Sequence, residues 1–290
     1  MHMKYFEGFY IKLVGKKDIL AIIFGRNKCL EGSSSFIQIV TEDKPYAANY
    51  PFHAEDLFER KHFKTRVNKN FADENGLLLD IETPDFVIKG SVNFGKFSKI
   101  KYDAMGPLKF WPKMECKHCI VSMEHSLEGQ LTLNDKIYNF DGGIGYIEGD
   151  RGRSFPQKYF WSQCNDEINK VSVSASAAVI PYMAVKFTGT ICIVHIKGKE
   201  YRFASYLGAR VKRIDDKGLI IKQGKKLLQA NVLDDKKGLP LNAPQNGKMS
   251  RIIHESLNRR IHYKLTINDS ILFDFISNKA AYEFSEHLVV

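Results

Sequence analysis

The chain is written in strands from end to end, and that property excludes most folds. Phe9 to Val14 and Ile19 to Gly25 flank Gly15-Lys16-Lys17-Asp18, the pattern of a hairpin and its loop. Phe36 to Thr41 follows a Gly32-Ser33-Ser34 turn, and Pro45 to Pro51 reads as a loop. Strands then run over Leu57 to Phe63, Leu77 to Glu82 and Phe86 to Phe94. From Cys119 the alternation sharpens: Cys119, Val121, Met123, His125 and Leu127 share one face, Ser122, Glu124 and Ser126 the other. Val171, Val173, Ala175, Ala177 and Val179 alternate with Ser172, Ser174 and Ser176. Small side chains on both faces fit either the wall of a ligand-holding barrel or close packing against bulky neighbours.

Further strands are expected over Phe187 to Ile196, Tyr201 to Lys212, Leu219 to Gln223, Leu227 to Leu233 and Ile261 to Ile267. Only Ala280 to His287 invites a short helix. There is no strand–helix alternation, so a parallel α/β fold is excluded, and 290 residues exceed one simple sandwich. The expected class is all-β with antiparallel pairing. The pattern breaks over Asp103-Ala104-Met105-Gly106-Pro107 through Pro112, which places the expected division at 1–113 and 114–290. One internal echo, Leu131-Thr132-Leu133-Asn134-Asp135-Lys136-Ile137 against Leu265-Thr266-Ile267-Asn268-Asp269-Ser270-Ile271, reads as two hairpins turning on Asn-Asp.

The densest functional signal runs from Gly145 to Asn165. Read as two strands, it places Tyr146, Glu148 and Asp150 on one face, with Ile147 and Arg151 on the other. In the second strand Tyr159, Trp161, Gln163 and Asn165 share a face, opposed by Phe160, Ser162 and Cys164. Gly152 and Pro156 shape the connection. Two carboxylates near two aromatics and two amides suit an apolar pocket with a few placed polar groups. They equally suit a hairpin whose wet face carries the charges. His125, in an apolar row, is open to two readings: a pocket acid–base group, or a hydrogen-bonded core histidine.

Other function classes find little support. The net charge is +10, yet the basic residues are dispersed and their clusters, Lys222 to Lys226 and Asp234 to Lys237, sit at hairpin tips. No zinc finger, aromatic RNA-binding pattern or basic helix is present, so no nucleic-acid partner is expected. Five scattered cysteines are not a disulfide framework. Cys116-Lys117-His118-Cys119 lacks a second ligand pair at zinc-site spacing, and its thiols face opposite ways if the strand already includes Cys116; no metal is expected. Neither a P-loop, a dinucleotide fingerprint, a His-Glu-x-x-His helix nor a nucleophile elbow occurs. No apolar run reaches the ~18 residues of a spanning helix, which leaves cytoplasmic residence as the expectation and peripheral membrane contact as an option.

The run from Tyr146 resembles the signature of the tocopherol cyclase family. There, Tyr-x-Glu-Lys-Asn-Trp-Gly leads through Phe-Pro into Trp-x-Trp-x-Gln-x-Asn. Tyr146, Glu148, Gly152, Phe155, Pro156, Trp161, Gln163 and Asn165 stand at matching places, with Tyr159 replacing the first tryptophan. Gly149, Asp150 and Arg151 depart from the Lys, Asn and Trp of that pattern. Near the amino terminus, Tyr5-Phe6-Glu7-Gly8-Phe9-Tyr10 looks like the family's opening Tyr-Phe-Glu-Gly-Trp-Tyr.

The resemblance implies two lipocalin-like antiparallel β-barrels in one chain and an apolar small-molecule substrate. It also implies ring closure by protonation of a prenyl double bond with attack by a phenolic hydroxyl, needing no cofactor. That chemistry requires an acid held protonated, aromatic faces beside a cationic carbon, and exclusion of water. Glu148, at the motif's carboxylate position, is the candidate acid, with Asp150 beside it. Tyr159 and Trp161 are the aromatic wall, Gln163 and Asn165 orient the substrate, and Tyr146, Arg151 and His125 are further candidate contacts. Arg151 disables the acid if it pairs with Glu148 or Asp150, and is harmless if it faces away, as on an ideal strand. A non-catalytic carrier of an apolar ligand is the competing class.

Overall fold

Among the described residues the alternation resolves into 22 strands and two antiparallel sheets. The computed structural model describes residues 4–53, 55–111, 114–182 and 185–287. The first sheet takes β1 (Tyr5–Val14), β2 (Ile19–Cys29), β3 (Gly32–Val40), β4 (Pro45–Pro51), β5 (Leu57–Glu59) and β6 (Lys64–Val67). It continues with β7 (Asn70–Asp73), β8 (Gly76–Glu82), β9 (Val87–Phe94), β10 (Cys116–Leu133), β11 (Lys136–Asn139) and β12 (Gly143–Gly152). Its order is β4-β3-β2-β1-β12-β10-β9-β8-β7-β6-β5, with β11 paired to β10.

The second sheet takes β13 (Lys158–Asp166), β14 (Val171–Tyr182), β15 (Val185–Ile196), β16 (Lys199–Ala204) and β17 (Arg210–Asp215). It is completed by β18 (Gly218–Gln223), β19 (Lys226–Val232), β20 (Leu239–Gln245), β21 (Lys248–Ile267) and β22 (Ser270–Glu286). Its order is β16-β15-β14-β13-β22-β21-β19-β18-β17, with β20 paired to β21. The expected all-β, antiparallel class is what the chain adopts. No helix of the described residues is long and apolar enough to cross a membrane.

The units part elsewhere than at 1–113 and 114–290. One unit comprises Met1–Ile100, Glu115–Phe155 and Asn242–Arg251; the other comprises Lys101–Met114, Pro156–Leu241 and Ile252–Val290. Residues 112 and 113, at the expected boundary, lie outside the described residues. The break in pattern is real, since Gly106–Phe110 forms only a short 3₁₀ turn. Beyond it, however, β10 returns to pair with β9 and β12, and ladder hydrogen bonds rather than chain order decide membership.

Within the first unit the sheet curls onto itself. Ser35 Oγ on β3 donates to Asp56 Oδ2, just before β5, at 2.6 Å, and the same carboxylate accepts from the main-chain N–H groups of His53 and Asn68. The inner face is a single core to which β1, β2, β8, β9 and β12 contribute, among others, Phe9, Phe24, Leu79, Ile88 and Ile147. The second unit has its own core, with Phe160, Cys164, Phe203, Tyr263 and Phe275.

Four local expectations are corrected. Leu57 to Phe63 is strand only as far as Glu59, after which the chain turns, and Tyr201 to Lys212 is divided between β16 and β17 by a 3₁₀ turn at Ser205–Leu207. Pro45 to Pro51 is not a loop but β4, at the end of the strand order, where proline's missing N–H costs no ladder bond on the open side. Ala280 to His287 is not helical: residues as far as Glu286 finish β22, with Ala281 opposite Gln163 and Phe284 opposite Phe160. Ladder pairing on both sides outweighs alanine's helix propensity, and Ala280 and Ala281 are fully buried. The Asn-Asp echo does mark two hairpin turns, joining β10 to β11 and β21 to β22, with positive φ at Asn134 (53°), Asn268 (51°) and Asp269 (63°).

Candidate functional site

β12 alternates as its sequence dictates. Ile147 enters the core, while Tyr146 and Glu148 turn to the opposite face and are nonetheless buried. The Tyr146 hydroxyl donates to Glu148 Oε2 at 2.5 Å, two residues along the same face. Asp150 follows on that face and stands opposite His118 of β10, with Ile120 opposite Glu148. The register therefore sets His118 between two carboxylates: Nδ1 lies 3.1 Å from Asp150 Oδ1, and Nε2 lies 3.6 Å from Glu148 Oε2. Cys116 Sγ is 3.4 Å from the same Asp150 oxygen.

These groups set one another's charge. Burial penalises the imidazolium, but Glu148 and Asp150 outweigh it and push His118 up to about 9. Burial also works to raise Asp150, yet the adjacent His118 and its hydrogen bond hold the carboxyl below the ordinary carboxylate value. Burial, reinforced by Asp150, pushes the Cys116 thiol well up, so it remains a protonated donor. At neutral pH the cluster is an imidazolium clamped between carboxylates, with a tyrosine hydroxyl on one of them. Such a group can store a proton, hand it over and recover it. Its three donor residues, His118, Glu148 and Asp150, lie within 4.8 Å of one another, a spacing open to a cation as well as a proton.

The cation beside the carboxylates is thus His118 and not Arg151, which is exposed on the far face and ion-pairs with neither. Cys116 and Cys119 do face opposite ways: Cys116 meets Asp150, whereas Cys119 Sγ accepts from Arg60 Nη1 at 2.9 Å. His118, Arg60 and Tyr146's hydrogen bond were beyond sequence reasoning. The signal for His118 was present in Cys116-Lys117-His118-Cys119, but its value depends on the register of β10 against β12.

His125 stands apart from this cluster. Two bulges in β10, between Ile120 and Ser122 and between Ser122 and His125, shift the register and break the apolar row. Leu127 and Val121 reach the core, while Met123, though buried, is outside it. His125 sits between Phe94 and Phe97, each 4.8 Å away between ring centroids. Ser122 Oγ donates to the Glu124 carbonyl, so it accepts from His125 Nδ1 at 3.0 Å, which assigns the proton to Nδ1. Burial lowers His125 to about 3, and the ring stays neutral. It is a hydrogen-bonded core histidine and no acid at neutral pH.

In the second unit β13 also alternates as expected. Phe160 and Cys164 join that unit's core, while Tyr159, Trp161 and Gln163 face away from it and are buried. The Tyr159 hydroxyl donates to Glu283 Oε2 at 2.8 Å, Gln163 Nε2 to Asn165 Oδ1 at 2.5 Å, and Asn165 Nδ2 to Ser172 Oγ at 2.9 Å. The row thus carries a Tyr159–Glu283 bond at one end and a Gln163–Asn165–Ser172 relay at the other, with Trp161 between them in the strand.

Comparison with known proteins agrees with this architecture. A family model described as tocopherol cyclase-like matches residues 52–285. No curated protein matches by sequence. Among solved structures, kievitone hydratase from Nectria haematococca superposes with a TM-score of 0.54 at 8% identity, covering 98% of this chain and 90% of that one. A protein described as AttH from Nitrosomonas europaea gives a TM-score of 0.55 at 9% identity, covering 98% and 92%. At such identities the likeness is one of fold, the lipocalin-like double arrangement expected from the signature.

Proposed function

The chain belongs to the tocopherol cyclase-like family, and we propose that it is an acid catalyst acting on an apolar, isoprenoid-like substrate. A proton adds to one carbon of a double bond, a hydroxyl oxygen bonds to the other, and that hydroxyl's proton returns to the cluster. If the hydroxyl is a phenol of the same molecule, the result is ring closure; if it is water, the result is hydration. Both begin with the same step, so one acid cluster serves either, in keeping with a family named for a cyclase and a structural neighbour named for a hydratase. The observation that carries the reading is the Asp150–His118–Glu148 line, Glu148 buried and the other two half-buried, with Tyr146 on its end.

In this reading the proton is stored on His118, the Glu148 carboxylate relays it to the substrate, and Asp150 fixes the imidazole through Nδ1. Tyr146 holds the Glu148 carboxyl in one orientation. Tyr159, Trp161, Gln163 and Asn165 are the proposed ligand-contacting row of their own unit.

The test is turnover of a prenylated hydroquinone in D₂O, with product deuterium read by mass spectrometry. Glu148→Gln keeps the shape but removes the carboxyl that takes up and passes on the proton. It should lower turnover by roughly 10²–10⁴ while binding survives within severalfold. Full activity in Glu148→Gln removes the assigned role, and a protein that merely carries its ligand shows no turnover in any variant.

A further inference from the structure

One guanidinium touches all three strands around the acid cluster from the other face of the sheet. Arg60 opens the turn between β5 and β6, at the far end of the strand order, and the curl of the sheet brings it back over the middle. Its Nη2 donates to the Asp150 main-chain oxygen on β12 at 2.8 Å, and its Nη1 to Cys119 Sγ on β10 at 2.9 Å. Its Nε lies 3.8 Å from Glu7 Oε2 on β1. Glu7 is fixed in turn by an ion pair with Arg26 and by the Tyr5 hydroxyl at 2.7 Å. The Phe9 ring, 5.5 Å from Arg60 Cζ, supports the guanidinium, and Phe63 at the end of the same turn meets Phe9 edge-on at 5.0 Å.

The register turns these anchors into an influence on the cluster. Asp150 stands opposite both His118 and Gly8, and Cys119 stands opposite Gly149. Two glycines at the crossing leave little side chain to set the strand spacing there. A Cβ on Gly149 would come within 2.8 Å of the Phe9 ring, so the gap cannot be filled from that position.

We propose that Arg60 is a positioning residue of the acid cluster, setting the spacing of β10 and β12 where Asp150 holds His118. The proposal rests on the acid reading for its purpose, not for its test. A planar fork with five donors can reach three strands at once, whereas a lysine is a single point of charge.

The experiment follows the His118 imidazole by NMR through a pH titration in ¹⁵N-labelled wild type, Arg60→Met, Arg60→Lys and Cys119→Ala. The groups facing that ring are Glu148, Asp150 and Tyr146 on β12, Cys116 on its own strand, and Arg60 through the sheet. If Arg60 acted by charge alone, Arg60→Met would raise the His118 midpoint and Arg60→Lys would leave it in place. Positioning demands the opposite sign. Both Arg60 variants should lower the midpoint toward the ~6.5 of an ordinary histidine and lose the downfield Nδ1–H resonance, with a smaller fall in Cys119→Ala. A midpoint that rises in Arg60→Met, or stays put in Arg60→Lys, overturns the proposal. Should Arg60→Met not fold, the lysine and Cys119→Ala variants carry the same comparison. Failure of the acid reading would look different: no turnover by wild type, with these titrations intact.

Discussion

Tyr146 and Glu148, two residues apart on one face of β12, share a 2.5 Å hydrogen bond in which the phenol donates to the carboxyl. Both side chains are buried, so the bond is exchanged for no solvent contact in the folded state. Tyr146→Phe deletes the donor and almost nothing else. The expected loss is about 1.5–3 kcal/mol, the range for a hydrogen bond to a charged group, read as a shift in the urea midpoint. A midpoint unchanged from wild type would mean that Tyr146 contributes shape alone.

His118 makes stability fall on the alkaline side. Its folded-state pKa, about 9, lies above the ordinary 6.5, so its contribution is complete below about 6.5 and is lost as pH rises through 9. The span corresponds to roughly 3 kcal/mol. Asp150, held low, contributes above its unfolded value and loses that contribution only as pH falls through its folded one. His118→Asn should flatten the unfolding free energy between about pH 6.5 and 9. A variant profile as steep as wild type would place the titrating group elsewhere.

His125 acts with the opposite sign. Its pKa is lowered from 6.5 to about 3, so the unfolded chain binds the proton more readily. The neutral ring's contribution is present above 6.5 and declines as pH falls from there toward 3. His125→Leu should soften this acid limb in a pH series of thermal melts. If it leaves the limb unchanged, burial between Phe94 and Phe97 does not govern the titration.

The sequence announced the β class wherever one face was apolar, because period-two alternation needs no partner to be seen. Val171 to Val179 and Tyr146 to Asp150 are such cases, and the faces read there are the faces observed. Pro45–Pro51 and Ala280–Glu286 were missed because their strand state comes from neighbours in the ladder, not from their own residues. The site divided along the same line. Tyr146, Glu148 and Asp150 lie on one strand, so their common face was legible. His118 reaches them only through the β10–β12 register, and Arg60 only through the curl of the whole sheet, neither of which is written locally.

In the second unit, Arg202 pins the segment that breaks the strand pattern. It donates to the main-chain oxygens of Tyr102 (2.8 Å) and Asp103 (3.0 Å), pairs with Glu200 at 3.0 Å, and lies 3.8 Å over the Tyr102 ring. The guanidinium is almost fully buried, and its removal leaves Glu200 its Lys101 N–H and nearby His195 but takes away its arginine partner. Arg202→Met should cost about 3–5 kcal/mol and open the backbone near Lys101 and Lys109 to trypsin. Cleavage there at the wild-type rate would show that the segment is held by other means.

The first unit draws its third piece, Asn242–Arg251, from far along the chain. That piece is stitched in by Gly247 N–H to the Arg153 carbonyl at 2.7 Å, by Asn27 Nδ2 to the Gly247 carbonyl at 3.0 Å, and by the Phe155 N–H to the Pro244 carbonyl at 3.2 Å. A ribosome that has released everything up to Phe155 has therefore not released a finished first unit. Its last ten residues arrive only after most of the second unit has been made, and the edges they cover wait, unpaired, in the meantime. The first unit is begun first yet cannot close until most of the second has been made, which makes the nascent chain, rather than the mature protein, the form most exposed to mispairing.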